Sequence, residues 1–197
     1  LIPGLDDNNE KTTQLRYQVF DQIKNKTAPG VFYGEYWALL LRNKPLRPSG
    51  VNYIYEKIIK YSDLEAKEEK EKISLIENEY PDINNLVVNS LSQVIEDIDI
   101  PTVRLGMDFI ISRLPLTKMN TMLNDHAKIN LIMSSLKLLI RNEYSTTRRL
   151  NEWLLGVSAD EDINVEDPDF SYKTDLIVQA FKKMFDSKNL KNFNILK

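Results

Sequence analysis

Three features of the sequence predict an all-α fold. Apolar residues recur at i, i+3, i+4 and i+7 through most of the chain, the spacing that lines one face of a helix. Six glycines and eight prolines in 197 residues leave too little turn-forming material for the many short strands of a β sandwich. The breakers that do occur sit between the apolar stripes rather than inside them.

Taken in order, the stripes place the elements. Leu15, Val19 and Ile23 mark a first helix near 10–26. Tyr33, Tyr36, Trp37, Leu40 and Leu41 mark the next. After Pro45, Pro48, Ser49 and Gly50 the same register resumes with Val51, Ile54, Tyr55, Ile58 and Ile59, so two helices are joined by a short turn. Ile83, Val87, Leu91, Val94 and Ile98 form another stripe. Pro101 stands where a helix would begin, ahead of Val103, Met107, Ile110, Ile111 and Leu114, and Pro115 ends it. Ile129, Ile132, Met133, Leu136 and Ile140 predict one continuous helix, with His126 just inside its start. Ser145 is the expected N-cap of a short helix bearing Leu150, Trp153 and Leu154, and Gly156 suits its left-handed end. A last helix near 172–186 is expected to bury Ile177, Ala180, Phe181 and Met184.

The order of these helices repeats. Starts near 31, 83, 124 and 172 alternate with partners near 49, 101 and 145. Apart from a longer first interval, the spacing is that of HEAT and armadillo units of ~40–47 residues, whose helix pairs must stack to cover their apolar faces. Asp99, Pro101, Val103 and Arg104 open a second helix in the manner such repeats favour. Residues 1–197 therefore read as a single helical repeat region, an α-solenoid, with a compact helical bundle as the alternative. Two segments interrupt it: a charged insert over 62–80 and an acidic loop over 157–169 that holds no base.

Composition removes several functional classes. A net charge of -3 argues against a general nucleic-acid binder, and the absence of cysteine excludes disulfides and thiolate metal sites and suits a cytosolic protein. No stretch approaches the ~20 apolar residues that span a bilayer. A start at Leu1 rather than a methionine suggests an excerpt of something longer. With a single histidine and no cysteine, nucleophilic catalysis lacks its base and a zinc site lacks ligands, so no enzyme, metal or cofactor is expected.

Binding surfaces offer more. Arg148 and Arg149 precede Trp153 on one helix, the residue types that anchor interfaces. Against that stands a structural role, in which such arginines pair with acids of the neighbouring repeat and the tryptophan is core. Arg104 joins them on the second-helix face as part of the expected partner surface. A second candidate is the lysine-rich end, Lys182, Lys183, Lys188 and Lys191, which near anionic lipid could gain about 1 kcal/mol per residue.

The opening Leu1-Ile2-Pro3-Gly4-Leu5-Asp6-Asp7, the Leu39-Leu40-Leu41 helix end and the run Leu46-Arg47-Pro48-Ser49-Gly50-Val51-Asn52-Tyr53-Ile54 are distinctive in their order. Together with Arg148-Arg149-Leu150-Asn151-Glu152-Trp153-Leu154-Leu155-Gly156, they resemble the N-terminal region of the Dopey family across roughly 1–156. The resemblance implies a very large cytosolic protein, peripheral on Golgi, trans-Golgi network and endosome membranes. It implies partners as well: a Mon-family scaffold related to Arf exchange factors, an aminophospholipid flippase and kinesin light chain, with phosphoinositide binding also associated. It brings no catalytic residue. The rival readings are a direct anionic-lipid module and a HEAT-repeat adaptor of unrelated biology.

Overall fold

The computed structural model describes residues 10–57, 78–118, 120, 122–156 and 169–186. Among these residues there is no strand. The helices are α1 (Glu10–Lys26), α2 (Pro29–Arg42), α3 (Arg47–Lys57), α4 (Ile83–Ile95), α5 (Ile100–Arg113), α6 (Asp125–Ser135), α7 (Leu138–Arg141), α8 (Tyr144–Leu155) and α9 (Phe170–Phe185). Ile58 and Ile59 lie outside the described residues, as do most of the charged insert and of the acidic loop.

The helices pack in two rows. In one, α2 lies against α4, α4 against α6 and α6 against α9. In the other, α3 lies against α5 and α5 against α8, while α4 and α5 join the rows. The core runs between them through Trp37, Leu40, Leu91, Val94, Met107, Phe109, Ile110, Leu131, Ile132 and Trp153.

Local chemistry sets the boundaries. Pro29 opens α2, where its missing N–H would have no helical partner. Asp99 caps α5 by accepting from the Thr102 N–H at 3.0 Å. Asn124 caps α6 in the same way, accepting from the Ala127 N–H at 2.9 Å. The cap of α8 is Glu143 rather than Ser145: its carboxylate accepts from the Thr146 N–H at 2.8 Å and from the Ser145 N–H and hydroxyl. Gly156 ends α8 at φ 74°, a left-handed conformation that costs glycine nothing.

Several stripes turn differently from the periodic pattern. In α1 the expected Leu15, Val19 and Ile23 face outward, and Phe20 is buried instead. The Phe20 and Tyr17 rings meet Tyr53 with centroids 5.1 and 5.3 Å away, so Phe20 is buried and Tyr17 partly buried in an aromatic cluster that turns this face of α1 inward. Ile98 is 81% exposed because α4 ends three residues earlier. The helix expected through Ile140 breaks after Ser135 into α7, which Asn142 stops at φ 51°, and Ile140 is left exposed. On α9, Leu176 rather than Phe181 fills the core, and Phe181 stacks on Phe185 at the surface.

Buried polar groups fasten the pairs to one another. Arg47, its side chain 9% exposed, forms an ion pair with Asp97 at 3.0 Å and donates to the carbonyls of Leu40, Leu41 and Gln93. Arg141 of α7 donates to the carbonyls of Asp97 and Glu96 from the other side. Lys128 is almost fully buried, and its ammonium donates to the Asn120 carbonyl at 2.8 Å, the Tyr172 hydroxyl at 2.9 Å and the Thr117 carbonyl at 3.2 Å. Those three acceptors use all its protons and tie the α5–α6 linker to α9.

Asp97→Ala is expected to cost about 3 kcal/mol, the low end for breaking one side of a buried ion pair. A lower urea midpoint at unchanged slope is the reading that checks it. Burial pushes the Asp97 carboxyl up, but the Asp99 backbone N–H and the Arg47 and Lys44 cations prevail and hold it below its usual 3.8. A carboxyl lowered in the folded state contributes its full stability above the unfolded pKa and loses it as pH falls below roughly 4. Urea midpoints measured from pH 7 to pH 3 are therefore expected to decline more steeply in the wild type than in Asp97→Asn.

Candidate protein-interaction site

The register of α8 sorts its side chains into two sets. Thr146, Leu150, Trp153 and Leu154 point into the core. Tyr144, Ser145, Arg148, Arg149 and Glu152 fall on the opposite face and form one wall of a groove of about 450 Å³. Asp108, Ile111 and Ser112 of α5 form its floor, and Tyr55 of α3 closes the far side. The groove thus spans α3, α5 and α8.

Two of the four charged residues that line the groove, Asp108 and Arg149, are committed to each other. Arg149 Nε donates to Asp108 Oδ1 at 2.6 Å, and Nη1 reaches the Ser145 carbonyl. Arg104 pairs with Glu143 at 3.2 Å just beyond the α8 end of the groove. The Ser145 hydroxyl above all, then the Thr146 and Ser145 backbone N–H groups, hold the Glu143 carboxyl at about 2 against the opposing push of burial. Arg148 is exposed and has no ion pair among the described residues. Tyr144 is 79% exposed beside it.

The four residues expected at a partner surface therefore divide. Arg148 lines the groove without an ion pair among the described residues, Arg149 lines it within one, and Arg104 is not among the lining residues and pairs with Glu143. Trp153 lies beneath, 3% exposed, its indole N–H donating to the Leu114 carbonyl at 2.8 Å. Its role is to seat α8 on α5, not to present a ring to solvent. Of the lysines expected to meet lipid, Lys182 is exposed on α9, Lys183 donates to Asn130 Oδ1 at 2.7 Å, and Lys188 and Lys191 lie outside the described residues.

Sequence reasoning missed Tyr55, Asp108, Ile111 and Tyr144 as groove residues. Tyr55 and Ile111 were legible only as helix-face apolar positions, since periodicity does not say which rim of a stripe stays open. Asp108 carried a usable signal: it precedes Arg149 by 41 residues, close to the helix spacing expected from the sequence, as a complementary charge would. Among the described residues no group of three His, Cys, Asp or Glu side chains is placed to hold a metal ion, and no helix is long and apolar enough to cross a membrane.

Among the described residues the fold is all-helical, with a groove lined by two tyrosines and two arginines. A family model described as Dopey, N-terminal, matches residues 1–159, and the chain belongs to that family. It is 29% identical over 143 residues to Protein pad-1 of Caenorhabditis briggsae, covering 72% of this chain and 6% of that protein. Protein pad-1 of Caenorhabditis elegans is 28% identical over the same length, again with 72% and 6% covered. Protein DOP1 homolog of Drosophila melanogaster is 24% identical over 159 residues, 79% of this chain and 6% of its own. The chain thus matches only 6% of the length of these relatives. No solved structure matches.

Trp153→Phe removes the indole donor and part of the buried ring volume, and is expected to cost about 2–4 kcal/mol because the Leu114 carbonyl loses its partner and a cavity is left in the core. Arg148→Ala, at an exposed site, is expected to stay within about 0.5 kcal/mol of wild type. Chemical denaturation of both variants separates the seat of the groove from its open wall.

Proposed function

We propose that this chain is a segment of a non-enzymatic scaffold in Golgi and endosome membrane traffic, and that it acts by docking a protein partner in the groove between α3, α5 and α8. In this reading the two rows of helices are the units of a HEAT-like α-solenoid, a fold whose long surface recognises other proteins without a reactive group. The observation that carries the proposal is the groove itself. Two tyrosines and an arginine without an ion pair among the described residues surround a floor of Asp108, Ile111 and Ser112, and tyrosine and arginine are the residue types enriched at interface hot spots. Membership of the Dopey family supports the trafficking context. The partners we propose are a Mon-family scaffold and an aminophospholipid flippase, with kinesin light chain as a further candidate. The site of action is the cytosolic face of Golgi, trans-Golgi network and endosome membranes.

Direct binding to anionic lipid through the α9 lysines has less support, because Lys183 is engaged with Asn130 and Lys182 alone is exposed there. Capture of a purified Mon-family scaffold by the immobilised chain tests the proposal. Tyr144→Ala is expected to weaken capture at least tenfold with unchanged helical circular dichroism, in keeping with the cost of losing an interface tyrosine. Equal capture by the variant removes the groove from the proposal. Absence of capture, together with flotation of the chain on anionic vesicles, replaces it with the lipid reading.

A further inference from the structure

We infer that the groove accepts an acidic peptide segment of its protein partner, with a carboxylate on Arg148 and apolar side chains against Tyr55, Ile111 and Tyr144. The inference rests on the docking role proposed above and adds the chemistry of what enters. Three observations lead to it.

The first is the balance of charges that remain after internal pairing. Asp108 is held by Arg149, and Glu143 is spent on the α8 cap and Arg104. Arg148 has no acceptor among the described residues, so its guanidinium fork is available for a bidentate carboxylate. Glu152 stands one turn further along the same wall and gives the groove a direction. The acid of the occupant belongs at the Tyr144 end, away from Glu152.

The second observation concerns donors that find no acceptor among the described residues. On α5, Arg104 Nε and Arg113 Nε and Nη1 are buried without a hydrogen-bond partner among the described residues. Arg113 is 5% exposed, donates through Nη2 to the Tyr55 carbonyl, and lies 5.3 Å from the centre of the Tyr55 ring. With no carboxylate on it among the described residues, this buried cation behind Tyr55 adds a positive field to that wall of the groove without offering a second surface cation.

The third is size and charge density. A volume of about 450 Å³ holds a few side chains rather than a folded surface, which selects a peptide segment. One free cation flanked by the carboxylates of Glu152 and Asp108 suits a singly charged carboxylate. A phosphate, with about -1.5 to -2 charges, needs a cluster of cations.

A display library of random 12-residue peptides, selected on the 197-residue chain and depleted on Tyr144→Ala, supplies the probe. Enriched peptides are expected to carry an excess of Asp and Glu over the starting library. In fluorescence anisotropy they are expected to bind Arg148→Glu at least tenfold more weakly, Glu152→Gln about threefold more tightly, and all forms less well as salt rises. Both substitutions sit on the open wall, and circular dichroism verifies that the fold is kept. Enrichment of neutral or basic peptides, undiminished binding to Arg148→Glu, or no enrichment at all overturns the inference. If Tyr144→Ala abolishes capture of the Mon-family scaffold while Arg148→Glu leaves it unchanged, the docking role stands and the acidic occupant is discarded.

Discussion

The packing of successive helix pairs depends on how the C-terminal end of α4 is neutralised. That end projects carbonyls carrying partial negative charge, and Asp97 adds a full one in a place with little water. Arg47 arrives from the preceding pair and Arg141 from the following one, each donating to the same short turn, with Lys137 adding a contact to Glu96 at 2.6 Å. Arg47 also donates to the Leu40 and Leu41 carbonyls at the end of α2, so a single guanidinium serves two helix termini. Buried charges are costly unless their geometry is complete, and here the completion comes from neighbouring pairs. Stacking is thereby specified as well as stabilised: apolar faces alone would tolerate sliding, whereas these ties fix one register.

From that register the groove follows. With α4 fixed, α5 is placed by the α4–α5 contact and by the Asp99 cap, and α8 is placed on α5 by Trp153 and by the Arg149–Asp108 pair. The amphipathic pattern of α8 then decides which residues serve which end. Positions three and four apart toward α5 are apolar and vanish into the core, while the same spacing on the other face brings Tyr144, Arg148 and Glu152 into one line. Arg148 and Arg149, adjacent in sequence, are separated by about 100° on the helix. One is drawn to Asp108 and the other is left for solvent or a partner.

Much of this was legible in the sequence, and the failures have physical causes. Helix boundaries followed from aspartate, proline and glycine acting through short-range backbone chemistry, as at the Asp99 and Pro101 start of α5 and the Gly156 end of α8. The α8 cap was misread because Glu143 competes with Ser145, and a carboxylate that takes two N–H groups outbids a hydroxyl. The inward faces of α1 and α9 were misread because periodicity identifies a stripe without its partner. Phe20 finds a cluster of rings in α2 and α3, and Leu176 finds the core, so the neighbouring aliphatic and aromatic residues are displaced outward. The Asp108–Arg149 and Asp97–Arg47 pairs join residues 41 and 50 positions apart, a scale that only the repeat period could have hinted at.

Hydrogen exchange with mass-spectrometric readout, on the chain alone and with a purified Mon-family scaffold bound, tests the central claim most directly. The account predicts that the partner adds protection at the first two turns of α8 and the C-terminal half of α5, with α4 already the most protected helix in the free chain. Added protection confined to α9, or none over α5 and α8 in a complex that has formed, would contradict it.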